Sequence, residues 1–323
     1  MRIAFVNPPY KHAFSRASRW PEITKSGTLY YPIWLCYAAG VAEKAGNQIY
    51  VLDAIAKKFD FDQAIGEINN FKPDMIVVES STPSIKNDIS FIDHYKIDNP
   101  NVKTVLVGTH PSALPEETMA MSNSVDFIAK HEYDYTIIDL AQALQGKKKI
   151  DHVEGLVYRE GDKIKSNKPR ELMKEVDNVP FVSEIYQRFL NIEDYRYALA
   201  THPMVQVMSS RGCPNLCSFC LYPQTMMGRK FRPRSPENFV RELVWISKNI
   251  RPKEIFIEDD TFAVDKERVI KICDLIKDYD LKITWSCNVR ADVPLDVLKK
   301  MKEAGCRMVI VGYESGNQKI LND

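Results

Sequence analysis

The chain has 323 residues, 45% of them hydrophobic and 27% charged, with 44 basic side chains against 43 acidic ones. This balance excludes a disordered or collagen-like chain and lacks the basic excess of a nucleic-acid-binding protein, so no nucleic-acid partner is expected. No apolar run approaches the ~20 residues of a membrane span, and the N-terminal apolar stretch is too short for a secretory signal; the expected compartment is the cytoplasm.

Up to residue 147, apolar runs alternate with longer amphipathic stretches. Ile3–Val6, Ile49–Leu52, Met75–Val78, Val105–Val107 and Phe127–Ala129 read as strands buried on both faces. Helices are predicted at Tyr31–Ala45, Phe61–Phe71, Ser84–Tyr95, Pro115–Met121 and Tyr135–Gln145. Such β-α units predict an α/β domain, an open parallel sheet with helices on both faces and a ligand site at the carboxyl ends of its strands. Residues 148–200 break the rhythm and read as a linker, with a hairpin turning at Glu160-Gly-Asp162. From residue 201 the alternation returns, with strands at Met204–Met208, Glu254–Ile257, Lys282–Ser286 and Met308–Val311. Helices are expected at Pro236–Asn249, Lys266–Asp278 and Pro294–Ala304. Prolines 236 and 294 fall where a first helical turn tolerates them.

Of seven cysteines, Cys36, Cys273, Cys287 and Cys306 stand alone, and the last three read as buried core. Cys213, Cys217 and Cys220 fall in the loop Ser209-Ser-Arg-Gly-Cys-Pro-Asn-Leu-Cys-Ser-Phe-Cys220, directly after an apolar strand. Three thiolates at C-x3-C-x2-C spacing can hold three irons of a [4Fe–4S] cube and leave the fourth iron open. The competing reading is a zinc site completed by a ligand such as His202. Arg229, Arg232 and Arg234 follow the loop and either hold an anionic group or are solvated.

With an aromatic residue, Phe219, before its last cysteine, this loop resembles that of the radical S-adenosylmethionine (SAM) superfamily, whose fold is a β/α barrel. The resemblance implies that the open iron chelates SAM and that the reduced cluster cleaves it to a 5′-deoxyadenosyl radical, which takes hydrogen from carbon. It also implies a reduced flavodoxin- or ferredoxin-type electron donor. Carried over residue by residue, it places Phe219 beside the adenine and Glu258, Asp259 and Asp260 at the methionyl amine, although the family often has two glycines and a glutamate there. Ser286, Asn288 and Arg290 at the end of the third strand, and Glu314 and Ser315 after the fourth, are expected on the ribose or carboxylate.

The first domain lacks the G-x-G-x-x-G of a dinucleotide site. It resembles instead the flavodoxin- or Rossmann-like cobalamin-binding domain fused ahead of the barrel in one radical SAM class. The landmarks are Asn7-Pro-Pro9, Asp53, Ser80-Ser-Thr82 and Gly108-Thr-His110, which become candidate cobalamin residues. The cobalt-ligating D-x-H-x-x-G is missing, because Ala54 and Ile55 follow Asp53, and Lys130-His-Glu-Tyr133 stands where glycines are usual. The domains are therefore expected at 1–147 (cobalamin), 148–200 (linker) and 201–323 (radical SAM barrel).

Within that class, Cys220-Leu-Tyr-Pro-Gln-Thr225, Thr284-Trp-Ser-Cys-Asn-Val-Arg290 and Val311-Gly-Tyr-Glu-Ser-Gly-Asn-Gln318 resemble a hopanoid-biosynthesis branch. The resemblance implies a small or lipid-like substrate and ring contraction to a cyclitol ether, with membrane contact left open. Sister reactions are methyl transfer to unactivated carbon and oxidative cyclisation of a porphyrin; a non-catalytic SAM or cobalamin sensor is the alternative class. Only three complete β/α units and a fourth strand of a six-unit barrel are read here, so the sequence is expected to be part of a longer chain.

Overall fold

The computed structural model describes residues 1–18 and 26–322. A seven-stranded sheet is built from β1 (Arg2–Asn7), β2 (Gln48–Asp53), β3 (Met75–Ser80), β4 (Lys103–Gly108), β5 (Phe127–Ala129), β6 (Leu156–Glu160) and β7 (Lys163–Ser166). Their spatial order is β2-β1-β3-β4-β5-β6-β7, the first five parallel and the last two antiparallel. The reversal of order at β1 leaves a crevice above the carboxyl ends of β1 and β3, where sheets of this class take their ligands.

Alternation along the strands sorts the core. Ala4, Val6, Ile76, Val78 and Leu106 pack on one face with α2 (Phe61–Phe71) and α3 (Ile85–Asp98). Ile3, Phe5, Met75, Val77, Val105 and Val107 point the other way, toward α1 (Ile33–Lys44). Two short helices, α4 (Thr109–Ala113) and α5 (Pro115–Ala120), follow β4, and α6 (Asp134–Leu144) follows β5. Helix α2 starts on a capping box, with Asp60 accepting from the Gln63 amide at 2.9 Å and Gln63 accepting from the Asp60 amide at 3.0 Å.

After α7 (Val182–Phe189) comes a parallel sheet of β8 (Met204–Val207), β11 (Glu254–Ile257), β12 (Trp285–Arg290) and β13 (Cys306–Gly312), paired in chain order. A small antiparallel ribbon, β9 (Ser210–Arg211) with β10 (Arg232–Pro233), sits between β8 and β11. Crossovers are made by α8 (Pro236–Asn249), α9 (Lys266–Asp278) and α10 (Leu295–Glu303), and α11 (Gln318–Asn322) ends the described chain. Ser235 and Asp265 cap α8 and α9 by accepting from the third helical amide.

Three expectations change. The third barrel strand starts at Trp285 rather than Lys282, because Trp285, Cys287 and Val289 alternate with Ser286, Asn288 and Arg290 instead of forming a continuous apolar run. The linker's hairpin extends the first sheet, with β6 paired to β5. The connector also holds α7, whose Val182, Ile185 and Tyr186 are buried. Cys273, Cys287 and Cys306 are buried and free, as core thiols should be. Among the described residues, no helix is long and apolar enough to cross a membrane.

Helix α1 joins the two sheets, and every residue from Ile33 to Ala42 is buried. At its entry, the Tyr31 hydroxyl donates to the Met204 carbonyl at 2.9 Å and the Tyr31 amide to Gln206 at 2.8 Å. The Met208 amide donates to the Tyr37 hydroxyl at 3.1 Å, and the Trp34 indole donates to the Tyr222 hydroxyl at 2.6 Å.

At the end of β4, Gly108 has a φ of +111°, and a Cβ there would lie 2.2 Å from the Ser80 carbonyl oxygen. Gly108→Ala is expected to cost about 2–3 kcal/mol or more, combining an unfavourable φ with overpacking. Thermal or urea unfolding checks this, and a loss below 1 kcal/mol would refute the close approach.

Candidate functional site

The cysteine loop leaves the fold through β9 and returns through β10, so residues 212–231 project from a two-stranded neck. At that neck Gly212 takes a φ of +83°, with its missing Cβ 2.2 Å from the Lys230 carbonyl oxygen, so only glycine lets the two backbones close. Cys213, Cys217 and Cys220 are half-buried and outside any disulfide, while Leu216 and Phe219 are 78% and 60% exposed. Among the described residues, no three Cys, His, Asp or Glu side chains converge in a metal-binding group, and the three thiols are no exception. Asn215 reaches the Cys213 sulfur at 3.4 Å and accepts from Arg290 at 2.8 Å, linking the loop to β12. Three half-buried cysteines on one loop match in number the donors that a cluster with one open iron would take. His202 precedes β8, at the end opposite the loop, with its ring nitrogens 3.1 Å from the Tyr195 carbonyl and 3.1 Å from Glu193. It is therefore engaged away from the thiols.

On the second sheet, register places Gln206, Phe256, Ser286 and Met308 at one level. Strand alternation then puts Glu258, Asn288 and Arg290 on the same face, toward the carboxyl ends. Glu258 accepts from Gln206 at 3.1 Å, and Asn288 donates to the Asp259 carbonyl at 3.2 Å. Ser286 is buried and Arg290 exposed. Asp259 departs from its expected role at the methionyl amine. It is wholly buried and accepts from the Ser209 amide and hydroxyl, both at 2.6 Å, and from those of Ser210 at 3.2 and 2.6 Å. Its carboxylate fixes the strand-to-loop turn and has no free oxygen for a ligand. Asp260 lies beside it, half-buried. Beyond β13, Glu314 is exposed with a φ of +58°, and the Ser315 hydroxyl accepts from the Asn317 amide at 3.0 Å.

The carboxyl edge of the first sheet carries the other candidates. Asn7 and Asp53 are corrected in the same way as Asp259. Asn7 donates to Asp53 at 2.9 Å and accepts from Arg16 at 2.8 Å. Asp53 also accepts from the Ile55 and Ala56 amides at 3.1 and 3.2 Å and from the Tyr195 hydroxyl at 3.0 Å. Both side chains serve a buried network rather than the crevice above it. Ser81 bonds Ser84 at 3.1 Å, and exposed Thr82 pairs with His110 Nδ1 at 3.1 Å. Burial lowers the pKa of His110, opposed by Glu117 and Asp88. Thr109 is half-buried. The Ser80 hydroxyl is buried without a partner beside the Gly108 cradle, so a polar group of a ligand lying close to the backbone would find an unused donor there.

The two edges meet. Helix α4 packs against residues 223–227, which follow the cysteines. Arg232 and Arg234, expected to be solvated or to hold an anion, are buried and paired. Arg232 donates to both Glu132 oxygens at 2.7 Å, and Arg234 pairs with Glu242 while donating to Asn238 at 2.7 Å. Arg229 bonds the Asn215 carbonyl. Arg211, not singled out in the sequence, donates to Asp134 at 2.9 and 3.1 Å. The only signal for it was a charged residue beside the first cysteine of the loop.

Glu79, near the end of β3, is buried with Oε2 unpaired. Burial, opposed by Arg16 and reinforced by Asp53 and Asp88, pushes its carboxyl up to about 8. An unfolded glutamate ionises near ~4.3. Between that value and about 8 the native chain holds a proton that the unfolded chain releases, so this group lowers stability progressively as pH rises through the window. Glu79→Gln should raise the unfolding temperature at pH 8 relative to wild type and flatten the decline from pH 5 to 8; parallel pH profiles would refute it.

Residues 21–141 match the B12 binding domain family, and residues 207–323 match the radical SAM superfamily. An uncharacterised methyltransferase of Pyrococcus horikoshii is 31% identical, the match covering 99% of this chain and 67% of the relative. The anaerobic magnesium-protoporphyrin IX monomethyl ester cyclase of Rubrivivax gelatinosus is 26% identical, covering 98% of this chain and 56% of its own. The hopanoid C-3 methylase of Methylococcus capsulatus is also 26% identical, over 88% of this chain and 53% of its own. The chain thus spans about half to two-thirds of the length of these relatives. Among solved structures, the cobalamin-dependent SAM radical enzyme OxsB, with aqua-cobalamin and SAM bound, superposes with a TM-score of 0.76 at 20% identity, covering 99% of this chain and 45% of that one. With both domain types matched in this order along one chain, the protein belongs to the cobalamin-binding radical SAM enzymes.

Proposed function

We propose that this chain carries the cofactor-binding part of a radical SAM enzyme that cleaves SAM at a cluster held by Cys213, Cys217 and Cys220, with cobalamin on the carboxyl edge of the first sheet. The observation that carries the reading is the meeting of the two edges. The loop with the three half-buried cysteines and the edge with the unpaired Ser80 hydroxyl, where Gly108 and Ser80 approach closely, touch through α4 and residues 223–227. When bound, the cluster and SAM supply a carbon radical and the corrinoid supplies a methyl or electron acceptor.

The chain's own residues bind and orient. Glu258 and Asn288 at one level and Arg290 at the next line one face of the second sheet, where a carboxylate, an amide and a guanidinium can grip an amino acid and a ribose. Phe219, Ser286, Glu314 and Ser315 complete that set as candidates. Asp259 acts one step back, holding Ser209 and Ser210 at the base of the loop. On the first sheet, Ser80, Thr82, Gly108, Thr109 and His110 are the candidates nearest the crevice. Asn7, Asp53 and Ser81 support the backbone beneath them.

Hydrogen abstraction followed by methyl transfer is the favoured outcome, supported by relatives named as methyltransferase and methylase. Oxidative cyclisation is supported by the relatives named as cyclases. A hopanoid-type or other lipid-like substrate rests on the resemblance of residues 220–225, 284–290 and 311–318, of which 284–290 largely coincides with β12. A flavodoxin- or ferredoxin-type protein is the proposed reductant.

Anaerobically reconstituted protein is expected to take up about four irons with matching sulfide. With SAM and dithionite it should yield 5′-deoxyadenosine and methionine. Cys217→Ala should lose at least about 100-fold of that product, since a missing thiolate releases a cluster iron. No product above the variant's background would point to a sensor, and zinc in place of iron would overturn the cluster.

A further inference from the structure

The turn after β5 meets the cysteine loop at its two-stranded neck. Its central acids take both arginines of the neck. In the ribbon, Arg211 stands opposite Arg232, and the 20 residues between them hold all three cysteines. Arg232 forms two bonds of 2.7 Å with Glu132 and also donates to the Met173 and Met227 carbonyls at 2.9 and 2.6 Å. Arg211 forms its two bonds with Asp134 and lies 3.7 Å from Glu132. Its guanidinium also sits over Trp34 and Tyr37 of α1, 5.5 and 5.2 Å from the ring centroids. All four charged side chains are at most 6% exposed.

Two cations and two anions balance here, and each arginine meets its acid through two parallel bonds, a geometry that fixes direction as well as distance. Apolar residues would serve stability as well at a buried site, so ion pairs kept there are better explained by orientation. The grip is on the root of the loop, while its tip at Leu216 stays exposed. The acids belong to the other domain, at the carboxyl end of β5.

We propose that Glu132 and Asp134 are positioning residues. Through Arg232 and Arg211 they set where the cysteine loop stands relative to the carboxyl edge of the first sheet, and hence the spacing between the two cofactors. The functional half of this inference rests on the cofactor reading given above; the clamp itself does not.

Hydrogen exchange on the cofactor-free chain tests the clamp alone. In Glu132→Gln, amides of residues 209–232 should exchange about tenfold faster or more while α2 and α3 are unchanged, as expected for local opening. Asp134→Asn, a milder change, carries the comparison if Glu132→Gln does not fold. Unchanged exchange in 209–232, or an equal increase throughout α2 and α3, overturns the clamp. On the loaded protein, pulsed EPR between cob(II)alamin and the reduced cluster reads the spacing. Wild type should give one narrow distance; Glu132→Gln and Arg232→Lys should broaden it at unchanged iron and corrinoid content. An equally narrow distance in both variants overturns the positioning role. A wild-type chain that takes up neither cofactor overturns the cofactor reading, and the exchange comparison then still decides the clamp.

Discussion

Helix α1 has no face left for water, and the architecture follows from that. A helix on the outside of an α/β sheet ordinarily shows one polar side. Here the ten residues from Ile33 to Ala42 are all buried, because one side covers the first sheet and the other meets the second. Burying a single large apolar side chain is worth about 1.5–3 kcal/mol, and α1 supplies several to both halves at once. The α1-facing side of the first sheet and the interior of the second are therefore one continuous core, while the α2–α3 side of the first sheet keeps its own. Tyr31, Trp34 and Tyr37 add directed bonds from this helix and its entry to Met204, Tyr222 and Met208, so the second sheet is held in orientation as well as in contact.

A shared core explains the distribution of buried charge. Where two domains merge without water between them, polar groups at their seam must satisfy each other. Across the seam Arg211 and Arg232 meet Asp134 and Glu132; within the first domain Asn7, Arg16, Asp53, Ser84 and Asp88 bond one another beneath the crevice, and within the second Ser209, Ser210, Asp259 and Arg268 do so beneath the cysteine loop. In both domains these buried groups are used up in supporting the backbone. The surfaces left for recognition are loops, glycines and a few unspent hydroxyls.

This layering is why the sequence disclosed the architecture more fully than the site. Continuous apolar runs gave β3, β4, β5 and β11, and period and caps placed α2, α8 and α9 at their observed bounds. The third strand of the second sheet starts later than the sequence suggests because it alternates polar and apolar residues and offers no continuous apolar run. The C-x3-C-x2-C spacing marks the loop in the sequence, and the structure shows that loop projecting from the β9–β10 neck. Asp53 and Asp259 sit at the expected ends of strands, but no local pattern distinguishes an acid that faces a ligand from one that turns inward to a backbone amide. Arg211 and Glu132 are 79 residues apart in the chain (211 − 132), so their pairing exists only once α1 has brought the sheets together.

The closed neck at Gly212 and Lys230 also governs how this region can change over time. Because the two backbones touch there, the cysteine segment begins and ends at nearly one point, and the path of α8 is independent of what lies between. Doubling the length of such a closed segment adds only about 0.6 kcal/mol of closure entropy. Insertions that reshape the mouth of the site are thus cheap to accept, whereas any side chain at position 212 would force the neck apart. Length changes should accumulate between Cys220 and Lys230, outside the C-x3-C-x2-C spacing, with Gly212 as the fixed point.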